Sequence, residues 1–226
     1  MKRTREVERR SEIKCAIEEL SMFVKLKPPD GDNYDSAQIP TKSFLCICNL
    51  ILQVLDKIGP TMAVLRQDIY QNIQRIEVLC ESDSAVNSNL VEMLKKETSE
   101  GTAKKGNTSS KAFVWLTRTL DFTVALLLRL SKDPGQNMEQ AVEESYNITL
   151  KPWHGWISSA AFKVALKLVP DRKTFFDILM AKDESYKTLT EDIQNYVTFL
   201  APMLEHIHST LVKVYLRRNF GANQKH

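Results

Sequence analysis

Glycine is scarce. Seven residues in a chain of 226 is under half of the ordinary ~7%. So few glycines cannot supply the turns of a many-stranded β protein, nor the Gly-rich crossovers of a doubly wound sheet. Cysteine and histidine are thin as well. The four cysteines, Cys15, Cys46, Cys48 and Cys80, form no CxxC, and the four histidines form no HxxxH or HExxH. Cys46 and Cys48 are two apart on an expected helix and point away from each other. Neither a zinc site nor a disulfide framework is expected, which suits a reducing compartment. Charge of one sign is also lacking: 31 Lys and Arg against 28 Asp and Glu leave +3. That bias is too weak to indicate nucleic acid, though it would suit transient contact with an anionic membrane surface. Long apolar runs are missing too. The longest, residues 122–128, is far short of the ~20 residues that span a bilayer. The N-terminal MKRTREVERR alternates acid and base without an apolar segment, so it does not read as a signal peptide. A soluble, cytosolic protein is expected.

What is there is ordinary for a globular chain. Hydrophobic residues make up 43% and charged residues 26%, which excludes wholesale disorder. The length suffices for one substantial core. Breakers divide the chain into helix-length segments at residues 11–26, 41–58, 61–81, 87–96, 111–131, 138–147, 151–168, 172–180 and 190–218. Thr41 can cap the second of these, and Pro202 should kink the last. Residues 99–110, SEGTAKKGNTSS, are the most loop-like stretch. Eight or nine helices, no convincing strand and no repeat of ~30 to 45 residues make a single all-α domain, not a solenoid.

Three groups of residues could carry chemistry. On the third helix, Ile69, Ile73 and Ile76 make a core stripe at i, i+4, i+7. Asp68, Asn72 and Arg75 repeat that spacing about 100° away, lining up a carboxylate, an amide and a guanidinium on one face. The plain alternative is a solvated face. Lys111, Trp115 and Phe122 form a second stripe after the polar loop, where a core tryptophan is the plain reading. In the third group, Lys151-Pro152-Trp153-His154-Gly155-Trp156, two tryptophans bracket a histidine. Trp suits a lipid–water interface because its ring is apolar and its N–H polar. No GxSxG, phosphate-binding glycine loop, paired-carboxylate motif or metal cluster appears, so no catalytic site, cofactor or metal is expected. The features describe a binding helix pair with a lipid-facing aromatic tip.

Three segments resemble the signatures of the glycolipid transfer protein family: DIYQNIQRI (68–76), FVWLTRTLDF (113–122) and YNITLKPWHGW (146–156). They stand in the family's order and separation, and the similarity runs from about residue 42 to the C-terminus. The resemblance implies an all-helical, two-layer sandwich of about eight helices holding one sphingolipid, with ceramide chains between the layers. Residues 1–40 would add a charged arm, a helix packing on the domain and a polar loop; residues 41–226 would form the domain itself. By that resemblance, Asp68 accepts from the ceramide amide N–H and His154 donates to its carbonyl. Asn72 and Arg75 contact the headgroup, and Trp115 is the platform under a sugar ring. Phe122 lines the chain pocket, and Trp156, with Trp153 supporting it, docks on the membrane.

The resemblance further implies a monomer that touches membranes transiently and moves sphingolipids between them without chemistry. The family often has lysine where this chain has Arg75, which keeps the charge and changes the donor geometry. The ceramide-1-phosphate branch typically has Lys at the position of Asn72 and Arg at those of Lys111 and Trp115. Asn72 and Trp115 therefore favour a glycosylceramide. Lys111, with Lys104 and Lys105 beside it, keeps ceramide-1-phosphate as the alternative. A helical sensor or scaffold without net transfer is a further one.

Overall fold

A computed structural model describes residues 11–25, 38–82, 87–103 and 106–222. Among them the chain forms nine α-helices: α1 (Glu12–Lys25), α2 (Thr41–Ile58), α3 (Ala63–Ser82), α4 (Leu90–Ser99), α5 (Ser109–Lys132), α6 (Met138–Thr149), α7 (Trp156–Leu166), α8 (Arg172–Leu179) and α9 (Tyr186–Ala222). Two 3₁₀ turns, Pro60–Met62 and Lys151–Trp153, lead into α3 and α7. The expected basic arm, Lys104 and Lys105 lie outside the described residues.

Side-chain caps fix where several helices begin. Asn89, Thr108, Asn137 and Asp171 each accept a backbone N–H from the first turn of α4, α5, α6 and α8, the ordinary remedy for a helix's unpaired first donors. Thr41 does something else. It is the first helical residue of α2 and follows Pro40. Its buried hydroxyl donates to the Asn87 carbonyl at 2.7 Å, tying α2 to the α3–α4 connection. The end of the 99–110 stretch, at Ser109 and Ser110, is also tied down. Glu97 accepts from the backbone N–H groups of Ser109 and Ser110 at 3.1 and 2.8 Å, so a carboxylate sits at the positive end of α5.

One expected helix is broken. Residues 151–168 do not run as one element: the chain is extended at His154 (φ −85°, ψ 132°) and Gly155 (φ −74°, ψ −180°) between the 3₁₀ turn and α7. The break lets the His154 side chain leave the helix line. At the other end of the chain, α9 is assigned as one helix through Pro202.

The helices pack as a two-layer sandwich. α5 is central and touches α3, α4, α6 and α9, while α1 packs on α2 and α9. Phe44 of α2 meets Phe113 of α5 edge-on at 5.1 Å, and both are essentially fully buried. A polar cluster holds α1 to α9: the Lys14 ammonium reaches Glu184 at 2.5 Å and Asp192 at 3.4 Å.

Another charged contact joins α5 to α9. His208 Nε2 lies 3.0 Å from Asp121 Oδ1, and this hydrogen bond raises the histidine pKa above its ordinary value. The protonated pair stabilises the fold below pH ~6.5, the unfolded value, and that increment is lost as pH rises through the raised folded value. Because the pair is half exposed, it is worth at most about 1 kcal/mol. Thermal melts of the native chain and Asp121→Asn should therefore differ at pH 5.5 and converge by pH 8.5. A constant difference across that range would show that the pair does not titrate.

Candidate functional site

The sandwich encloses a cavity of about 1390 Å³. Its depth is apolar, walled by residues such as Ile13, Ile47, Leu55, Leu127, Val142 and Phe175 from five helices. A polar cluster lines it where α3, α5 and the His154 segment meet: Asp68, Asn72, Arg75, Lys111, Trp115 and His154 all line it, and Phe122 lines it two turns beyond Trp115. Thus the two helix stripes and His154, from three separate stretches of chain, face one space. The plain alternatives give way to a lining role: the polar face of α3 bounds a cavity, and Trp115 is half-buried at the edge of that cavity, outside the core.

The α3 stripe is pre-ordered. Asn72 is 7% exposed; its amide nitrogen donates to the Asp68 backbone carbonyl at 2.9 Å. Its amide oxygen accepts from Arg75 Nη1 at 3.1 Å. Asn72 thereby fixes the guanidinium one turn on, while the Asp68 carboxylate faces the cavity. Burial raises the Asp68 pKa, and His154 and Arg75 pull it back down. A ligand N–H donating to that carboxylate would further favour the ionised form. His154 shows the complementary behaviour. Burial lowers its pKa below the ordinary value, Asp68 opposes that, and Arg118 adds to it. The ring is therefore neutral at neutral pH, with one N–H to give. An acceptor and a donor in electrostatic contact, at the polar end of an apolar cavity, suit a secondary amide attached to long hydrocarbon.

Two neighbours escaped the sequence reading. Arg118 lies over the Trp115 ring at 4.8 Å and over the Trp153 ring at 4.0 Å, joining the two indoles by cation–π contacts. Its signal was the i, i+3 spacing from Trp115. Tyr146 approaches His154 Nδ1 with its hydroxyl at 3.1 Å; it lies eight residues upstream, a distance that no single-helix rule connects.

The aromatic tip divides in two. Trp153 is 58% exposed and rests on Arg118, whereas Trp156 is 81% exposed at the start of α7. α7 reads WISSAAFKVAL, yet Leu166 is its one buried residue. Ile157 and Val164 are also largely exposed. Three large apolar side chains left in the open on one short helix are unusual for a surface with nothing to bind. No helix among the described residues is long and apolar enough to cross a membrane.

Comparison with known proteins agrees with this fold. Residues 39–181 match the family described as Glycolipid transfer protein (GLTP). Glycolipid transfer protein 2 of Arabidopsis thaliana is 55% identical over 221 residues, covering 96% of this chain and 98% of that one. Among solved structures, one described as showing how FAPP2 selects simple glycosphingolipids with the GLTP fold superposes with a TM-score of 0.72. It is 26% identical and covers 82% of this chain and 89% of that one. Human ceramide-1-phosphate transfer protein, in complex with 12:0 ceramide-1-phosphate, shares the fold at a TM-score of 0.72 and 15% identity, with coverage of 91% and 96%.

Proposed function

Because this chain belongs to the glycolipid transfer protein family, we propose that it carries one sphingolipid at a time between membranes, with a glycosylceramide favoured. The observation that supports this most is the placing of Asp68 and His154 at the polar end of the 1390 Å³ apolar cavity. A sphingolipid leaving a bilayer exposes tens of CH₂ groups, each costing ~0.8 kcal/mol in water. A dry cavity nearly cancels that cost and makes movement through water feasible. The amide must keep both hydrogen bonds on the way, since each one left unmade costs about 1–3 kcal/mol. In this reading Asp68 accepts from the amide N–H and His154 donates to the carbonyl. Asn72 and Arg75 hold the headgroup, Trp115 stacks under the sugar and Phe122 borders the chains. α1 belongs to the carrier as well, because Ile13 and Ala16 line the cavity. The carrier works as a cytosolic monomer that touches membranes only in passing.

Ceramide-1-phosphate is the second reading. Arg75, Lys111 and Arg118 all line the cavity, and a phosphate monoester wants several charge-assisted donors. A vesicle-to-vesicle assay with labelled glucosylceramide and labelled ceramide-1-phosphate tests both. Faster movement of glucosylceramide supports the lead reading, and movement of ceramide-1-phosphate alone supports the second. Binding without movement would make the protein a sensor.

Trp156 is the proposed membrane foot, with α7 behind it. Transferring its exposed indole into an interface contributes about 1–2 kcal/mol, or roughly five- to thirtyfold in adsorption. Trp156→Ala should weaken vesicle sedimentation by that factor and slow transfer without changing headgroup preference. Unchanged sedimentation would remove Trp156 from the docking face.

A further inference from the structure

His154 has one hydrogen to give. The ring is neutral, so one nitrogen carries the proton, and donation to a ligand carbonyl requires it on the nitrogen that faces the ligand. Nδ1 is already engaged, 3.1 Å from the Tyr146 hydroxyl, which leaves Nε2 for the ligand. The same hydroxyl donates to Ser159 Oγ at 3.3 Å. Tyr146 therefore stands between two partners with a single proton of its own. If that proton goes to His154 Nδ1, the imidazole hydrogen must sit on Nε2 and is available to the ligand. If it goes to Ser159, the tyrosine oxygen accepts from Nδ1–H, and the bare Nε2 can only accept. Which hydrogen bond one ring nitrogen makes decides what the other can do.

Tyr146 is held firmly for this task. It is 3% exposed, and its ring stacks on Phe162 of α7 at 3.5 Å between centroids and 6° between planes. Ser159 lies on α7 too. We infer that Tyr146 is a positioning residue: in the ligand-binding state its hydroxyl turns from Ser159 Oγ to donate to His154 Nδ1 and fixes the Nε2–H tautomer. Recognition of the amide and the seating of α7 then draw on the same hydroxyl, which serves either Ser159 or His154. The inference rests on the reading of His154 as the carbonyl donor.

Tyr146→Phe isolates the hydroxyl, because the ring and its stack on Phe162 remain. The ring ¹⁵N signals of His154, identified by their loss in His154→Leu, report the tautomer directly. In the native protein bound to short-chain glucosylceramide, Nε2 should carry the hydrogen and Nδ1 should be bare. Tyr146→Phe should show a mixture of tautomers and roughly fivefold slower transfer, the size of one modest hydrogen bond, with its melting temperature nearly unchanged. Ser159→Ala leaves Tyr146 with Nδ1 as its acceptor of this pair, so its Nε2–H signature should persist. A bound native protein protonated on Nδ1 overturns the inference, as does Tyr146→Phe with native tautomer and native transfer. If Tyr146→Phe does not fold, the bound native spectrum and Ser159→Ala decide the matter. The two levels separate cleanly. Full transfer by His154→Leu defeats the donor role and the inference with it, whereas an impaired His154→Leu beside a normal Tyr146→Phe defeats the inference alone.

Discussion

Asp68→Val is expected to reduce transfer of every sphingolipid to background, whatever its headgroup, while helical circular dichroism stays intact. The loss would come from unpaired groups. With lipid seated, the amide N–H would face a valine in place of its acceptor, at a cost of about 1–3 kcal/mol. Losing a bond to a charged acceptor puts the figure at the upper end of that range. Each 1.4 kcal/mol is tenfold. The fold has little to lose, because the Asp68 side chain faces the cavity, outside the core. Its backbone carbonyl still accepts from Asn72. His154→Leu should be nearly as damaging, since it removes the other half of the pair. Normal transfer by Asp68→Val, measured with glucosylceramide and with ceramide-1-phosphate, would end the amide assignment.

The second large effect concerns the headgroup. Trp115→Arg combined with Asn72→Lys should move preference from glycosylceramide toward ceramide-1-phosphate by at least tenfold in relative rate. Trp115→Arg removes the flat apolar face a sugar needs and places a guanidinium three residues before Arg118. Asn72→Lys replaces a buried amide that bonds Arg75 at 3.1 Å with an ammonium, leaving two cations side by side. An uncompensated buried charge costs about 3–5 kcal/mol. The double variant without lipid should therefore melt well below the native protein and regain much of that loss when ceramide-1-phosphate is added. Lys111→Leu, by contrast, should hardly change glycosylceramide transfer. A double variant that still prefers glucosylceramide would show that the headgroup is read elsewhere.

Most helices were legible because breakers and caps are local: Pro60, Pro134 and Asp171 act within a few residues of themselves. The break at His154 was not legible. Pro152 is compatible with the first turn of a helix, and WISSAAFKVAL then continues an apolar pattern, so nothing local demanded an extended residue between them. The α3 polar stripe shows the other limit. A side chain facing a polar-rimmed cavity and one facing solvent obey the same periodicity, and a single helix cannot tell them apart. What distinguished them was two other stretches of chain arriving at the same place, something the three family-like segments implied and spacing alone did not. Arg118 fell in the gap between these kinds of evidence: it sits inside a quoted segment, but its two indole contacts exist only once α5 and the 151–153 turn have met.

The sparse burial of α7 also bears on what must move for cargo to pass. A helix with one buried residue is held by little tertiary energy and belongs to the least stable cooperative unit of the fold. Its amides should exchange with deuterium orders of magnitude sooner than those of α5, which buries ten residues along 24. Opening therefore need not approach global unfolding. The apolar side chains that α7 leaves exposed, Trp156, Ile157 and Val164, are those a bilayer would welcome. On the proposed reading of Trp156 as the membrane foot, contact with a membrane would replace the interactions that α7 lacks in water, and the equilibrium for opening would become a property of the surface on which the protein rests.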